Sequence, residues 1–124
     1  MAYTFDTNAV IYYVKDDSRV VLGVQRILAL RELVYVSTIT EVELFGYSGL
    51  TEEEAEKIEL VLQTLSIISL DSYLARKAGT LRRTYNLKTP DSVIAATALF
   101  TGSMLVTRNV RDFKKIPELK LHAI

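Results

Sequence analysis

The chain contains no cysteine and a single histidine, His122, among its 124 residues. Its longest uncharged stretch, from Ser92 to Thr107, is 16 residues. Each scarcity excludes something. Without cysteine there is neither a disulfide scaffold nor a thiolate zinc site, which fits a reducing compartment. With one imidazole, no two-histidine acid–base pair and no histidine-rich metal site can be assembled. A membrane span needs about 20 mostly apolar residues, so the 92–107 stretch reads as a buried helix followed by a strand. The first residues lack a basic segment and reach an acid at Asp6, so no signal peptide is expected. The expectation is a soluble, cytoplasmic chain without membrane attachment. No repeat, linker or low-complexity tract interrupts it, and 49 % apolar with 24 % charged residues is the composition of one globular domain over 1–124.

Net charge is zero, which speaks against a nucleic-acid partner until the halves are separated. Residues 1–62 carry a balance of −6 and residues 63–124 one of +6. The zero is a cancellation.

Along the chain, β-type runs alternate with helical ones. Tyr3–Phe5 is a short strand stopped by Asp6-Thr7-Asn8, three turn or cap residues. A short helix follows over 9–14, and apolar spacing predicts a second over 18–30. Val34–Ser37 is a strand, Thr38 or Thr40 caps the next helix, and Thr51 caps an acidic one with Glu52, Glu53, Glu54, Glu56 and Glu59. Residues 67–70 form the third strand, Asp71 or Ser72 caps a helix, and Thr89-Pro90-Asp91 starts another with proline at its first position. Gly102 ends that helix, 104–107 is the fourth strand, and 119–124 supplies a fifth, short edge strand. The pattern predicts an α/β fold, a three-layer α/β/α domain around a mostly parallel sheet of four to five strands.

In such sheets ligands bind beyond the carboxyl ends of the strands. Asp6 follows strand one, Glu43 lies in the helix entered from strand two, Asp91 starts the helix that feeds strand four, and Asp112 follows strand four. Topology alone therefore gathers four carboxylates on one edge. Such a cluster repels itself unless a cation neutralises it, and Mg²⁺ or Mn²⁺ is the natural occupant of an oxygen-only site. Taken singly each acid has a plainer role. Asp6 can cap a helix, Asp91 suits a helix N-terminus, Glu43 can be a solvated helix acid, and Asp112 sits in a charged loop. Glu41, three residues after Thr38, has capping-box spacing and is assigned that structural role.

Together these pieces resemble the PIN domain, and within it the small VapC-type toxins of toxin–antitoxin pairs. The resemblance spans essentially the whole chain. It rests on Asp6-Thr7-Asn8, on Ser37 and Thr40 leading to Glu43-Leu44, on Asp91 with Ile94-Ala95-Ala96-Thr97-Ala98, and on Leu105-Val106-Thr107-Arg108-Asn109-Val110-Arg111-Asp112-Phe113. It implies metal-dependent endoribonuclease activity leaving 5′-phosphate and 3′-hydroxyl ends. Asp6, Glu43 and Asp91 match the family's three core acids, and Asn8 and Thr107 match supporting polar positions. The fourth acid departs from the commoner pattern, because Asn109 stands where many members have Asp. Either Asp112 or Asn109 completes the site.

The resemblance also implies a cognate antitoxin laid across the cleft, and a homodimer packed through apolar helix faces between Val20 and Ile68. Arg108, Arg111 and Lys114 beside the site, and Arg83 on the helix leading to Asp91, are candidate RNA contacts. Three alternatives stand beside this one. A PIN-domain nuclease of RNA processing or decay would keep the site without the toxin role. A non-catalytic binding module would have no need of Asp6, Glu43 and Asp91 together. A phospho-accepting regulatory domain would want adjacent acids after strand one and a lysine late in the sheet; Asp6-Thr7-Asn8 does not supply the first, and Arg108 is a poor stand-in for the second.

Overall fold

A computed structural model describes residues 1–124. Five strands, β1 (Tyr3–Phe5), β2 (Val34–Ser37), β3 (Ser66–Ile68), β4 (Met104–Thr107) and β5 (Leu121–Ala123), form one sheet in the order β3-β2-β1-β4-β5. Every pairing is parallel, so all carboxyl ends lie on one edge. Seven helices connect them: α1 (Thr7–Val14), α2 (Val21–Ala29), α3 (Thr38–Phe45), α4 (Glu52–Leu62), α5 (Ser72–Tyr85), α6 (Thr89–Thr101) and α7 (Val110–Phe113). No helix is long and apolar enough to cross a membrane.

Strand alternation divides the core into two layers. Tyr3, Phe5, Val34, Val36 and Val106 face a cluster closed by residues of α1, α2 and α4. Leu105 faces the other side, where Ile94, Ala95 and Ala98 of α6 pack with Phe113 and Ile116. The small residues of α6 let it lie close on the sheet, and α5 covers it through Leu74 and Ala78 against Val93 and Ala96. Thr4, the one polar residue of β1, is buried and bonded to the Ser103 hydroxyl at 2.6 Å.

Helix starts follow cap chemistry, with corrections to the expected positions. Asp71 caps α5, accepting from the Leu74 N–H at 2.9 Å. Ser37, not Thr38 or Thr40, caps α3 by accepting from Ile39 N–H at 3.1 Å. Thr38 lies inside the helix and its hydroxyl accepts from Leu70 N–H at 3.0 Å, so Glu41 has no capping-box partner. Helix α6 begins at Thr89, one residue early, with Lys88 at the cap position and no capping side chain. Helix α2 starts at Val21 rather than 18, because the Asp17 carbonyl first closes a turn on Val20 and Val21. The third strand occupies Ser66–Ile68, slightly before the expected 67–70. At the far end of α6, Gly102 adopts φ +65°, the left-handed conformation glycine takes without strain.

Candidate active site

Asp6 sits where β1 becomes α1, buried to 5 % exposure. Its carboxylate does two things at once. Oδ1 accepts from the Ala9 N–H at 2.8 Å, the capping role, while Oδ2 accepts from the Thr107 hydroxyl at 2.5 Å. Thr107 ends β4, and its oxygen accepts the Asn109 N–H at 2.8 Å. One threonine thus ties the strand-four loop to the strand-one acid. Glu43 arrives from α3, where the Thr7 hydroxyl donates to its Oε1 at 2.6 Å and lies 3.1 Å from the Thr40 hydroxyl. Asp91 comes from the first turn of α6. A cleft of about 180 Å³ is lined by Asp6, Thr7, Asn8, Ile11, Glu43, Asp91 and Ile94.

No lysine or arginine lies within 4 Å of Asp6, Glu43 or Asp91. Burial pushes the Asp6 carboxyl up to about 6, and the neighbouring Asp91 and Glu43 charges add to the rise. The Thr107 hydroxyl and Ala9 N–H oppose it. Asp91 is also raised, by burial first and then by Asp112 and Glu43, with Lys88 pulling the other way. Three carboxylates thus share one cleft without an ion-pair partner.

The donors are carboxylate, amide and hydroxyl oxygens, which suits a hard divalent ion. No three carboxylates stand close enough to ligate one ion as they are. Mg²⁺ keeps several waters and binds through one or two carboxylates, so it needs no set of three direct carboxylate ligands. The donor set therefore fits the group.

The expected fourth acid is less central than the other three. Asp112 lies on α7 outside the cleft lining, where it accepts from the Asn109 amide at 3.0 Å and pairs with Lys115 at 3.8 Å. It reaches the cleft through its field on Asp91. Asn109 is spent on holding Asp112. Among the basic residues, Arg108 is exposed and directly follows Thr107, while Arg111 and Lys114 are exposed on and after α7. Arg83 is exposed on α5 with no recorded contact to the cleft. Its neighbour Arg82 donates to the Thr89 hydroxyl at 3.1 Å, beside the start of α6. Within the Asp6-Thr7-Asn8 run, the sequence gives Thr7 a turn or cap role and no partner in the cleft. Its bond to Glu43 spans 36 residues, and the only signal for it was a short hydroxyl next to a strand-end acid.

A parallel sheet with an acidic cleft at its strand ends defines a class, an open α/β domain whose ligand site lies beyond the carboxyl ends of its strands. The PIN domain model matches residues 3–119. Ribonuclease VapC2 of Rickettsia felis is 30% identical, covering 98% of this chain and 96% of that protein. Ribonuclease VapC1 of Haemophilus influenzae is 27% identical, covering 97% of this chain and 96% of that protein. Among solved structures, VapBC2 from Rickettsia felis bound to a promoter DNA fragment superimposes with a TM-score of 0.82 at 28% identity, over 100% of this chain and 99% of that one. A toxin–antitoxin complex from Klebsiella pneumoniae gives 0.78 at 30% identity, over 94% of each chain. The chain belongs to the PIN-domain family and, within it, to the VapC ribonucleases. The domain of this family typically depends on metal.

Proposed function

We propose that this chain is a divalent-metal-dependent endoribonuclease, the toxin of a cytoplasmic toxin–antitoxin pair, with Asp6, Glu43 and Asp91 as its catalytic acids. One observation carries the reading: Asp6, Glu43 and Asp91 meet in one cleft with no cation of the chain's own to neutralise them. Those three carboxylates would hold Mg²⁺ or Mn²⁺, with Asp112 acting on the outer side. When bound, the ion supplies Lewis-acid polarisation of a phosphoryl oxygen and a lowered pKa for water. The chain's own residues do the rest. Thr107 and Ala9 N–H fix the rotamer of Asp6, Thr7 fixes that of Glu43, and Asn8 presents an amide to the cleft. Arg108, Arg111, Lys114 and Arg83 supply positive charge for an RNA backbone. The only imidazole, His122, lies on β5 and packs edge-on against Tyr3 at 6.0 Å, so a two-histidine route to cyclic phosphate has no second partner.

An antitoxin peptide that offers an arginine to the acids would silence the cleft, and a homodimer is the expected assembly. The direct test is incubation of purified protein with structured and unstructured RNAs in Mg²⁺, Mn²⁺ or chelator, with the ends mapped. Metal-dependent internal cuts leaving 5′-phosphate and 3′-hydroxyl ends are expected. Absent or chelator-resistant cleavage across a broad RNA set would overturn the reading.

A further inference from the structure

Beside the acid cleft lies a group of charges that the cleavage chemistry leaves unused. Helix α1 ends at Val14 in a reversal: Asp16, at φ +53°, donates its N–H to the Tyr13 carbonyl at 3.2 Å, and Asp17 N–H returns to the Tyr12 carbonyl at 2.9 Å. This pair of bonds is a Schellman stop, and it carries the backbone of Asp17 back to Tyr12. The Asp17 carboxylate then grips Arg19, with Nε on Oδ1 at 3.0 Å and Nη2 on Oδ2 at 2.7 Å, while the Arg19 backbone N–H adds a bond at 2.9 Å. From the β4 side, the Arg108 guanidinium lies over the Tyr12 ring, 5.7 Å from its centroid, within the range of a cation–π contact. The field of Arg108 also reaches Asp17.

Two guanidiniums thus gather around one carboxylate and one ring, leaving a net positive charge. The Arg19 side chain is 68% exposed, and Arg108 is exposed as well. Their place matters. Arg108 directly follows Thr107, which is bonded to Asp6. Tyr12 stands one helical turn, about 5.4 Å, beyond Asn8 of the cleft lining. An RNA strand entering the cleft meets repulsion from the acids, and this cationic ridge, joined to the cleft through Thr107, offsets it. Guanidinium on an aromatic face is held in orientation while keeping its edge donors free for a phosphate.

We propose that Tyr12 and Asp17 are positioning residues, Tyr12 holding Arg108 and Asp17 holding Arg19 beside it, as a seat for an RNA phosphate next to the one cleaved. The proposal rests on reading the cleft as the RNA-cleaving centre. Its test separates the two. Cleavage of a short labelled single-stranded RNA by the full chain gives kcat and KM. Fluorescence anisotropy of the same RNA on an Asp6→Asn background, in chelator, gives affinity independently of cleavage.

In the binding assay Arg108→Ala weakens affinity about tenfold and flattens the plot of log affinity against log salt by about one. In the cleavage assay it raises KM by a similar factor with kcat within about twofold. Arg108→Lys restores the salt slope. Tyr12→Phe binds like the parent, whereas Tyr12→Leu, which alters no charge, loses about threefold as the cation–π contact goes. Asp17→Asn weakens binding although it removes a negative charge. The seat is overturned if Arg108→Ala leaves affinity and salt slope unchanged, or if its loss falls on kcat alone. The positioning role is overturned if Tyr12→Leu binds like Tyr12→Phe or if Asp17→Asn binds more tightly. Full cleavage by Asp6→Asn would sink the reading of the cleft, while the anisotropy series would still judge the seat.

Discussion

Helix α4 carries Glu52, Glu53, Glu54, Glu56 and Glu59, whereas the cleft at the strand ends holds only Asp6, Glu43 and Asp91. The helix has more acid and less consequence. Its first-turn glutamates lie at the positive end of the helix dipole, and the Thr51 hydroxyl accepts the Glu54 N–H at 3.1 Å. Lys57 pairs with Glu53 at 3.6 Å and Lys15 with Glu54 at 4.0 Å. Glu53 is 82% exposed, and water screens what the lysines do not. In the cleft no ion pair gives such relief, and only the field of Lys88 reaches Asp91. Asp6 is buried, its carboxyl is displaced upward, and the nearest charges are other carboxylates. Burial without a counter-charge, rather than the number of acids, is what marks a functional cluster.

The comparison breaks most visibly in catalysis. Asp6→Asn or Asp91→Asn is expected to reduce RNA cleavage by at least about a thousandfold, while Glu56→Gln and Glu59→Gln stay within about twofold. Initial rates on one labelled RNA, with folding checked by circular dichroism, decide it. Full activity of a folded Asp6→Asn protein would erase the distinction between the regions.

Stability sharpens it with the opposite sign. A carboxyl whose pKa is raised on folding favours its protonated form in the folded state. Stability from this group is therefore greatest below about pH 4 and is lost as pH rises towards about 6, the folded value of Asp6. At pH 7.5 in chelator the wild type bears this cost in full. Asp6→Asn should accordingly be more stable by about 3 kcal/mol in urea melts, and the gain should vanish near pH 4. A less stable Asp6→Asn protein at pH 7.5 would contradict the sign. Thr107→Val removes the bond that most strongly opposes the rise. It should cost about 1–2 kcal/mol at neutral pH and move the acid limb of the cleavage profile to higher pH. An unmoved limb would show that the hydroxyl does not tune Asp6.

The smallest effect belongs to the helix. Thr51→Ala should lower stability by about 1 kcal/mol and leave cleavage unchanged, as urea melts and rates on the same preparation would establish.

Much of this cleft is legible in the sequence. Strand–helix alternation gathers Asp6, Glu43, Asp91 and Asp112 on one edge, because a parallel sheet delivers every strand's carboxyl end there, and the family resemblance singles out the first three. The charge imbalance between the halves was equally plain. What could not be read is tertiary. Thr7 meets Glu43 because α1 and α3 pack side by side, and nothing local to Thr7 encodes that. Thr38 gives up its expected capping role because its hydroxyl is taken by Leu70, 32 residues away. Asp112 has the sequence position of a fourth acid, yet its partners are Asn109 and Lys115. The ridge of Arg19 and Arg108 depends on a chain reversal at Asp16 that no motif announces.

The central claim is that Asp6, Glu43 and Asp91 are left uncompensated so that a divalent cation can join them. Thermal melting at pH 7.5, with Mg²⁺ or Mn²⁺ titrated against chelator, tests it without RNA. The wild type should gain stability with added ion, about 2.7 kcal/mol at a concentration a hundred times the dissociation constant. Glu56→Gln should gain as much, and Asp6→Asn should gain little. An equal gain in wild type and Asp6→Asn, or none in either, would contradict the account.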